Sequence, residues 1–553
     1  MKMFEKEGLY FMPVGGSDEI GLNMYVYGVD GKMIIVDCGY GFLGEEYPGM
    51  DMGLTDASFL EEYQDKIEAL FITHAHEDHF GAIAQIWPHL KCPVYATNFT
   101  AALIKERFKE YKMENAAQVN VITSDAPVVK VANFEVEFVG MAHSVPETCA
   151  LVIRSKYGNI VHATDWRFDS DKIKLMMTDF QGLERAANEG VEVLVSDSTN
   201  ILFDGEHKTE MELRESLLEL IPQFKGGLVA TCFASNIVRL ESLILAAVKA
   251  RRIPVLIGRS IVRNAEIASG LGYLGDLGKH LMQFEVAKDM PKSKLFYLCT
   301  GGQGDYRSAV ARLARREIRG INLGKGDAII FSSKIIPGNE LAIKRVQNRL
   351  IDQDIDVITS DTHFVHTSGH PNKSEVKRLY ELLKPKISLP VHGDKLFIKE
   401  HIKFAKALGV PVAEDCKNGE VLLIKDGTIE HIDQVEVKVL GVDRKRLTPL
   451  DSEVVKNRKR IMFNCSVFIS VLFEGNFVLK DIQITSPDIM EEEDFKVLAD
   501  EIIYDIKKGL PQQVAEAKGK EERIIDYIRG KVRKEIEKAT DIKPLAVVSV
   551  MKV

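Results

Sequence analysis

The sequence predicts a multidomain chain of α/β and α+β architecture. Three observations lead there. At 553 residues the chain is too long for a single hydrophobic core, so two or three domains are expected. From about residue 207 to 360, apolar strand-like runs alternate with helical periodicity, the pattern of a parallel sheet with helices packed on it. Outside that segment, several apolar runs end abruptly in histidine or aspartate, so polar side chains collect where strands stop.

In chain order, residues 9–30 alternate loosely and break at Gly15-Gly16 and Gly21. Lys32 to Gly39, KMIIVDCG, reads as a buried strand ending in Asp37, an acid suited to orient a neighbouring loop by hydrogen bonding rather than to bind a metal itself. Gly39 to Asp56 is a glycine-rich loop expected near the mouth of a site. The apolar run Ile67 to Ile72 is the next buried strand, and it leads into THAHEDHFG. His74, His76, Asp78 and His79 then lie just past a strand end, where side chains can converge on one point. Imidazole nitrogen and carboxylate oxygen suit zinc, with water or substrate completing an open site. A polar solvated loop is the competing reading, but H-x-H-x-D-H directly after an apolar run is rare by chance. It also differs from the helical H-E-x-x-H of many proteases.

Gly81 opens a helix, GAIAQIWPHL. A short strand at Val94 to Ala96, a helix from Phe99 to Met113 and two or three antiparallel strands lead to His143, again directly after a strand. A hairpin turning at Tyr157-Gly158-Asn159 ends at Asp165. Glu192 to Asn200 is a further strand with a polar end. Its Asp197 and Ser198 either support the site from outside its ligands and touch substrate, or cap a following helix.

The segment 207–360 repeats strand, turn and helix. Three of its strands end in small polar turns, at Phe233 to Asn236, Thr300 to Gly304 and Ser332-Ser333. Backbone N–H groups at such helix starts hold phosphates well, and none of the turns is a G-x-x-x-x-G-K-[ST] loop. THFVHTSGHPN then offers His363, His366, Ser368 and His370, and ISLPVHGD offers His392 after another strand. Residues 441–460 are polar and basic and read as a linker. The remainder, 461–553, reads as strand, turn, strand from Arg460 onward, two helices and a last strand, a small α+β domain. The expected organisation is therefore 1–206, 207–360, 361–440, the linker 441–460 and 461–553.

His74, His76 and His143 make one candidate ligand set; Asp78, His79 and His392 make another; Asp165 can bridge them, since a carboxylate has two oxygens. Seven groups exceed what one tetrahedral zinc can use, so two ions are the economical reading. They would generate a nucleophile at neutral pH and stabilise charge on a phosphoryl oxygen. His370 is not needed as a ligand and is assigned as the proton donor to the leaving oxygen, with a simple phosphate clamp as the alternative.

HAHEDH with His143, Asp165 and His392, together with ASN at 234–236, SSKIIPGNE at 332–340 and HTSGH at 366–370, closely resembles the ribonuclease J group of the metallo-β-lactamase/β-CASP nuclease family along the whole chain. The resemblance implies a metallo-β-lactamase αββα sandwich with an inserted β-CASP α/β domain and a small C-terminal α+β domain, the chain returning to the first domain after about residue 360. It implies two divalent ions per subunit, expected to be Zn2+, with Mn2+ or Mg2+ as alternatives. It implies hydrolysis of single-stranded RNA, 5′ to 3′ from 5′-monophosphorylated ends as well as internally. Messenger RNA and ribosomal RNA precursors would be its substrates, and ribosomes or RNA-degradation proteins its partners. A homodimer or homotetramer in the cytoplasm, with no membrane association, is expected. Asp78 and Asp197 are implied to support catalysis beside His370. Ser235, Asn236, Ser333, His366, Thr367, Ser368, Gly369 and His370 are implied to hold phosphates. The chain departs from the family pattern at Cys232, Val238, Gly302 and Trp166, where threonine, histidine, serine and phenylalanine are common. The loss at 238 is expected to weaken a phosphate or base contact. A β-CASP DNA nuclease and a weakly active RNA-binding scaffold subunit remain as alternatives.

Net charge is −9, whereas a protein that coats nucleic acid nonspecifically is usually basic; a local basic channel on an acidic body remains compatible with RNA. Seven scattered cysteines with no C-x-x-C pair fit a reducing compartment better than a disulfide scaffold. The opening MKMFEKEGLYFMPVGG lacks the long apolar region of a signal peptide, and no segment of eighteen apolar residues occurs.

Overall fold

The computed structural model describes residues 7–169, 173–205, 207–336, 338–444, 446–475, 477–518 and 520–553. The first six residues of the opening stretch, and Pro337 within SSKIIPGNE, lie outside them. The chain divides into two units, one comprising everything up to Gly41 with Leu54–Lys438, the other Phe42–Gly53 with Val439–Val553.

Among the described residues, the first unit contains two large sheets. One runs in the order Thr428–Gln434, Glu420–Lys425, Leu9–Gly15, Met24–Val29, Lys32–Val36, Ile67–Phe71, Val94–Thr97, Val119–Ile122. The other runs Val412–Ala413, Ile387–Val391, Val193–Asp197, Gly158–Ala163, Cys149–Ser155, Phe134–Gly140, Val128–Val131. Alternate residues of both sheets meet in one core: Leu9, Phe11, Tyr27 and Ile34 from the first, Phe138, Leu151, Val193 and Leu389 from the second. On its other side the second sheet packs against the helices Phe180–Glu189, Lys373–Leu383 and Lys395–Ala407 through Leu183, Leu379 and Ala405. Val119–Ile122, expected to be antiparallel, pairs parallel with Val94–Thr97, because the helix Asn98–Glu110 carries the chain back between them.

The inserted segment forms a separate parallel sheet in the order Ile253–Ile257, Leu295–Cys299, Leu228–Thr231, Ala328–Phe331, Asp356–Ile358. The chain then returns. Ile387–Val391 pairs parallel with Val193–Asp197, and Glu420–Lys425 pairs antiparallel with Leu9–Gly15.

The helix Ile237–Lys249 of the insert carries Arg239 into a buried pair with Glu210, each side chain 1% exposed. Arg239 Nη1 also donates to Ser332 Oγ at 2.7 Å. Arg239→Met leaves the Glu210 carboxylate buried and uncompensated, so it is expected to lower unfolding free energy by about 3–5 kcal/mol in urea titrations. Adding Glu210→Leu is expected to recover part of that loss.

A second stability contribution is acid-sensitive. His401 is buried, with Nδ1 2.9 Å from Ser198 Oγ and Nε2 3.0 Å from Tyr380 Oη. Burial pulls its imidazole down to about 4, the Asp197 charge opposing weakly. A depressed histidine favours the neutral ring in the fold. Its contribution is therefore complete above the unfolded value of about 6.5 and is lost as pH falls toward the folded value, a change on the order of 3 kcal/mol. The stability of His401→Gln is expected to fall less steeply than wild type between those two pH values.

One sheet of the second unit runs Val478–Thr485, Ser466–Glu474, Leu545–Lys552, the last pair parallel. Helices Glu492–Ala517 and Glu521–Thr540 cover one face through Ile502, Ile506, Ile524 and Ile528. Two expectations are corrected here. Residues 441–460 are not a linker: Val439–Asp443 and Arg446–Pro449 form a hairpin, and Ser452 caps a helix Glu453–Asn464. Apolar Leu440, Val442 and Leu447 between charged residues supply the strand alternation that the local excess of Lys and Arg obscured. That helix also absorbs Arg460 to Phe463, which had read as the start of a strand. The glycine-rich stretch after Gly39 also divides. Gly39 to Gly41 stays with the first unit, whereas Phe42–Gly53 joins the second.

Candidate metal centre

Strand register assembles the site. Gly158–Ala163, Val193–Asp197 and Ile387–Val391 are parallel and in step, with Ala163 opposite Ser196 and Asp197 opposite Val391. Their carboxyl ends therefore deliver Asp165, Asp197 and His392 to one edge. In the facing sheet Val36 lies opposite Phe71, so Asp37 and the loop from Thr73 to His79 leave the sheet side by side. Asp37 and His392 adopt left-handed backbone conformations, with φ of 63° and 53°. For non-glycine residues this costs about 1–3 kcal/mol each and persists where the surroundings hold it. Gly39 permits a close approach: a Cβ there would lie 1.6 Å from the Asp78 carbonyl oxygen.

The side chains fall into two sets that share Asp165. In the first, His76 Nδ1 lies 3.1 Å from both His74 Nε2 and His143 Nε2. Asp165 Oδ2 is 3.2 Å from His143 Nε2 and 3.7 Å from His74 Nε2. In the second, Asp78 Oδ2 lies 3.6 Å from His79 Nε2 and 3.2 Å from His392 Nε2. Asp165 Oδ1 lies 3.0 Å from His79 Nε2 and 3.5 Å from His392 Nε2. A tetrahedral ion with ligand bonds of 2.0–2.1 Å separates its ligands by about 3.4 Å. Both sets match that edge, one around each oxygen of Asp165. Asp165 Oδ1 is buried and accepts no hydrogen bond, an orphan that a cation would satisfy. The groups fit a binuclear centre.

Without ions, four of these histidines are shifted in opposite directions. Burial and neighbouring imidazoles push His76 down to about 3 and His74 well below its usual range. For His79, burial is outweighed by Asp165, Asp78 and Asp37, which hold it up at about 10; His392 is raised likewise.

A ring of further groups orients these ligands. Asp37 Oδ2 accepts from His79 Nδ1 at 2.7 Å and its Oδ1 from the Thr73 N–H at 2.8 Å. Asn23 Nδ2 donates to the Asp78 carbonyl at 3.0 Å. Thr199 Oγ1 lies 2.8 Å from His392 Nδ1. The Gly369 carbonyl accepts from His143 Nδ1 at 2.7 Å, and a Cβ at Gly369 would press on that ring at 2.8 Å. Asp197 Oδ2 accepts from His370 Nδ1 at 2.7 Å, and Asp197 Oδ1 accepts from Thr199 N–H at 2.8 Å. The capping reading of Asp197 and Ser198 falls away, because the next helix starts at Glu210 behind Thr209 and Ser198 Oγ is spent on His401. Asp165, Asp197, His370 and His392 also come close enough to form a third possible ligand group. Within that group His370 and Asp197 are hydrogen-bonded to each other. Burial lowers the His370 imidazole, but Asp197 and Asp165 prevail and raise it above its ordinary value.

The residues expected to hold phosphates are placed unevenly. The His370 side chain is 23% exposed, against 2% for Asp165, so it is partly accessible to solvent. Ser368 Oγ accepts from Asn200 Nδ2 at 2.9 Å and from the His370 N–H at 3.2 Å. Thr367 is committed elsewhere, accepting from Arg167 and donating to the Lys208 carbonyl at 2.6 Å. Asn236 Oδ1 caps its own helix through the Arg239 N–H. His366 is driven well below its ordinary value by burial and then by Arg239 and Lys334, so it is neutral. Ser333 Oγ is buried without a partner, and Ser235 is partly exposed. Val238 is 1% exposed and packs with Ala142, Ile173 and Met176.

Sequence reasoning missed Arg167, whose guanidinium donates to Thr367 Oγ1 at 3.0 Å and the Ser368 carbonyl at 3.2 Å. It also missed Asn200, which donates to the His370 carbonyl at 3.2 Å. Their one signal was position: each follows a predicted site residue by two or three places.

Two facing sheets, a binuclear ligand set at their strand ends and an inserted parallel sheet define a metallo-hydrolase of the metallo-β-lactamase/β-CASP class. The β-lactamase superfamily domain matches residues 32–188, the ribonuclease J β-CASP domain 225–350 and the Zn-dependent metallo-hydrolase RNA specificity domain 354–413. A ribonuclease J of Sinorhizobium meliloti is 35% identical over 100% of this chain and 98% of that protein. One from Helicobacter pylori is 30% identical over 97% of this chain and 79% of that protein. One from Mycobacterium tuberculosis is 37% identical over 73% of this chain and 72% of that protein. A crystal structure of a protein of unknown function from Enterococcus faecalis V583 shares the fold, with a TM-score of 0.53 and 15% identity over 75% of this chain and 100% of that one. The chain belongs to the ribonuclease J family.

Proposed function

We propose that this chain is a metal-dependent ribonuclease that hydrolyses phosphodiesters of single-stranded RNA. It would act 5′ to 3′ from 5′-monophosphorylated ends and also cut internally, on messenger RNA and ribosomal RNA precursors. The observation that carries this reading is the pair of ligand sets divided between the two oxygens of Asp165, within a chain of this family. His74, His76 and His143 would hold one ion; Asp78, His79 and His392 the other. Zinc suits imidazole and carboxylate ligands at this spacing, with manganese or magnesium as the alternatives. Bound there, the ions would polarise a phosphoryl oxygen and make a water-derived nucleophile available near neutral pH.

The protein's own groups do the rest. Asp197 fixes the His370 ring by its Nδ1, leaving Nε2 to give a proton to the leaving oxygen. Against burial, Asp197 and Asp165 raise the pKa of His370 above the ordinary histidine value, which favours the protonated ring. Ser368 and the backbone around Gly369 lie next to His370 and would take the phosphate, with Ser235 and Ser333 contributing from the insert. Seven cysteines, none in a disulfide, support a cytoplasmic site of action. A homodimer or homotetramer is the expected assembly.

The test is a time course on 3′-labelled RNA bearing a 5′-monophosphate or a 5′-triphosphate. Immediate mononucleotides from the monophosphate alone support both direction and end recognition. Equal cleavage of a DNA of the same sequence favours the DNA-nuclease reading, and no turnover with zinc or manganese favours a scaffold.

A further inference from the structure

The segment that leads from Asn200 to Lys208 has a feature that the hydrolytic chemistry does not use. Its start is tied to the site: Asn200 Nδ2 bonds Ser368 Oγ and the His370 carbonyl. Phe203 follows on a pinned backbone, its N–H donating to the Asn200 carbonyl and its carbonyl accepting from the Lys373 N–H, both at 2.9 Å. Phe203 is nevertheless 50% exposed, which leaves part of its ring open to a ligand. The Lys334 ammonium sits 3.8 Å from the ring centroid, and Lys334 follows Ser333 in the inserted unit. Five residues on from Phe203, Lys208 places its ammonium 4.5 Å from the Phe364 ring, while its carbonyl accepts from Thr367. Two aromatic–ammonium pairs thus lie on segments bonded to the loop that carries His370.

Such pairs match the chemistry of a single strand. Bases have π-faces that stack on aromatic rings whatever their identity, and the phosphates between them pair with lysine. We propose that Phe203 is a stacking platform for one nucleobase of the RNA, with Lys334 and Lys208 pairing the flanking phosphates. The inference rests on the ribonuclease reading and adds a base-recognition residue to it. A latch that merely joins the inserted unit to the sandwich is the competing role, and it would not depend on any base.

The test is single-turnover cleavage by the metal-loaded full chain, reading half-saturating concentration and maximal rate separately. The substrates are one RNA and a series in which each nucleotide in turn is abasic. Stacking of one base on an aromatic ring corresponds to a change of about tenfold in affinity. For the wild type, one abasic position is expected to raise the half-saturating concentration by about that factor with little change in maximal rate. Phe203→Ala should show the same rise on intact RNA and lose its sensitivity to that position, while Phe203→Trp keeps both. The platform is overturned if Phe203→Ala leaves the half-saturating concentration unchanged, or raises it equally for intact RNA and every abasic RNA. If the wild type cleaves none of these RNAs, the ribonuclease reading fails and the platform with it.

Discussion

Asp165→Ala is expected to reduce kcat on the order of 10^4-fold, the scale seen when one member of a catalytic unit is removed. Its two oxygens lie at 3.0–3.7 Å from four imidazole nitrogens, two in each ligand set. Without it, each set is left with three groups and the imidazoles lose the carboxylate that faces both. Metal analysis should find fewer than two ions per chain, whereas RNA binding should persist in part, because the groups proposed to hold phosphate lie on other loops. Asp165→Asn retains the shape but not the charge, so an intermediate metal content is expected. Retention of both ions with full activity in Asp165→Ala would remove the bridging role.

His370→Ala tests a different function. It is expected to keep both ions and lose about 10^2–10^4-fold in rate, the range for a general acid. The ring is hydrogen-bonded to Asp197, with Nδ1 2.7 Å from Asp197 and 3.8 Å from Asp165, and packs against the rings of His143 and His392. Asp197→Asn should resemble a milder version of the same loss, since it frees the ring without removing it. If metal analysis of His370→Ala shows both ions gone, His370 is a ligand and the acid must be sought elsewhere.

Much of this site was legible before the fold was known, because the ligands follow strands. An apolar run that stops at His74, His143, Asp165 or His392 announces both the strand and the polar end. What sequence could not supply was register. The parallel pairing that aligns Ala163, Ser196 and Pro390 is set by contacts across the sheet, and these place Asp197 beside His370. The groups that hold the His370 loop were hidden for the same reason. Arg167 and Thr367 are distant in sequence, and nothing local marks that guanidinium as buried. The C-terminal unit was misread at 441–460 because composition there is dominated by lysine and arginine, whereas the fold responds to the few apolar residues between them. Asn236 and Thr367 point the other way. Their motifs suggested phosphate contact, yet their oxygen atoms serve a helix cap and a buried guanidinium.

The most direct test of the account is anomalous diffraction from crystals of the full chain grown with zinc or manganese. Two peaks are predicted per chain, one among His74, His76 and His143 and one among Asp78, His79 and His392, with Asp165 in contact with both. A single peak, or two peaks with Asp165 and His392 turned away from them, would contradict it.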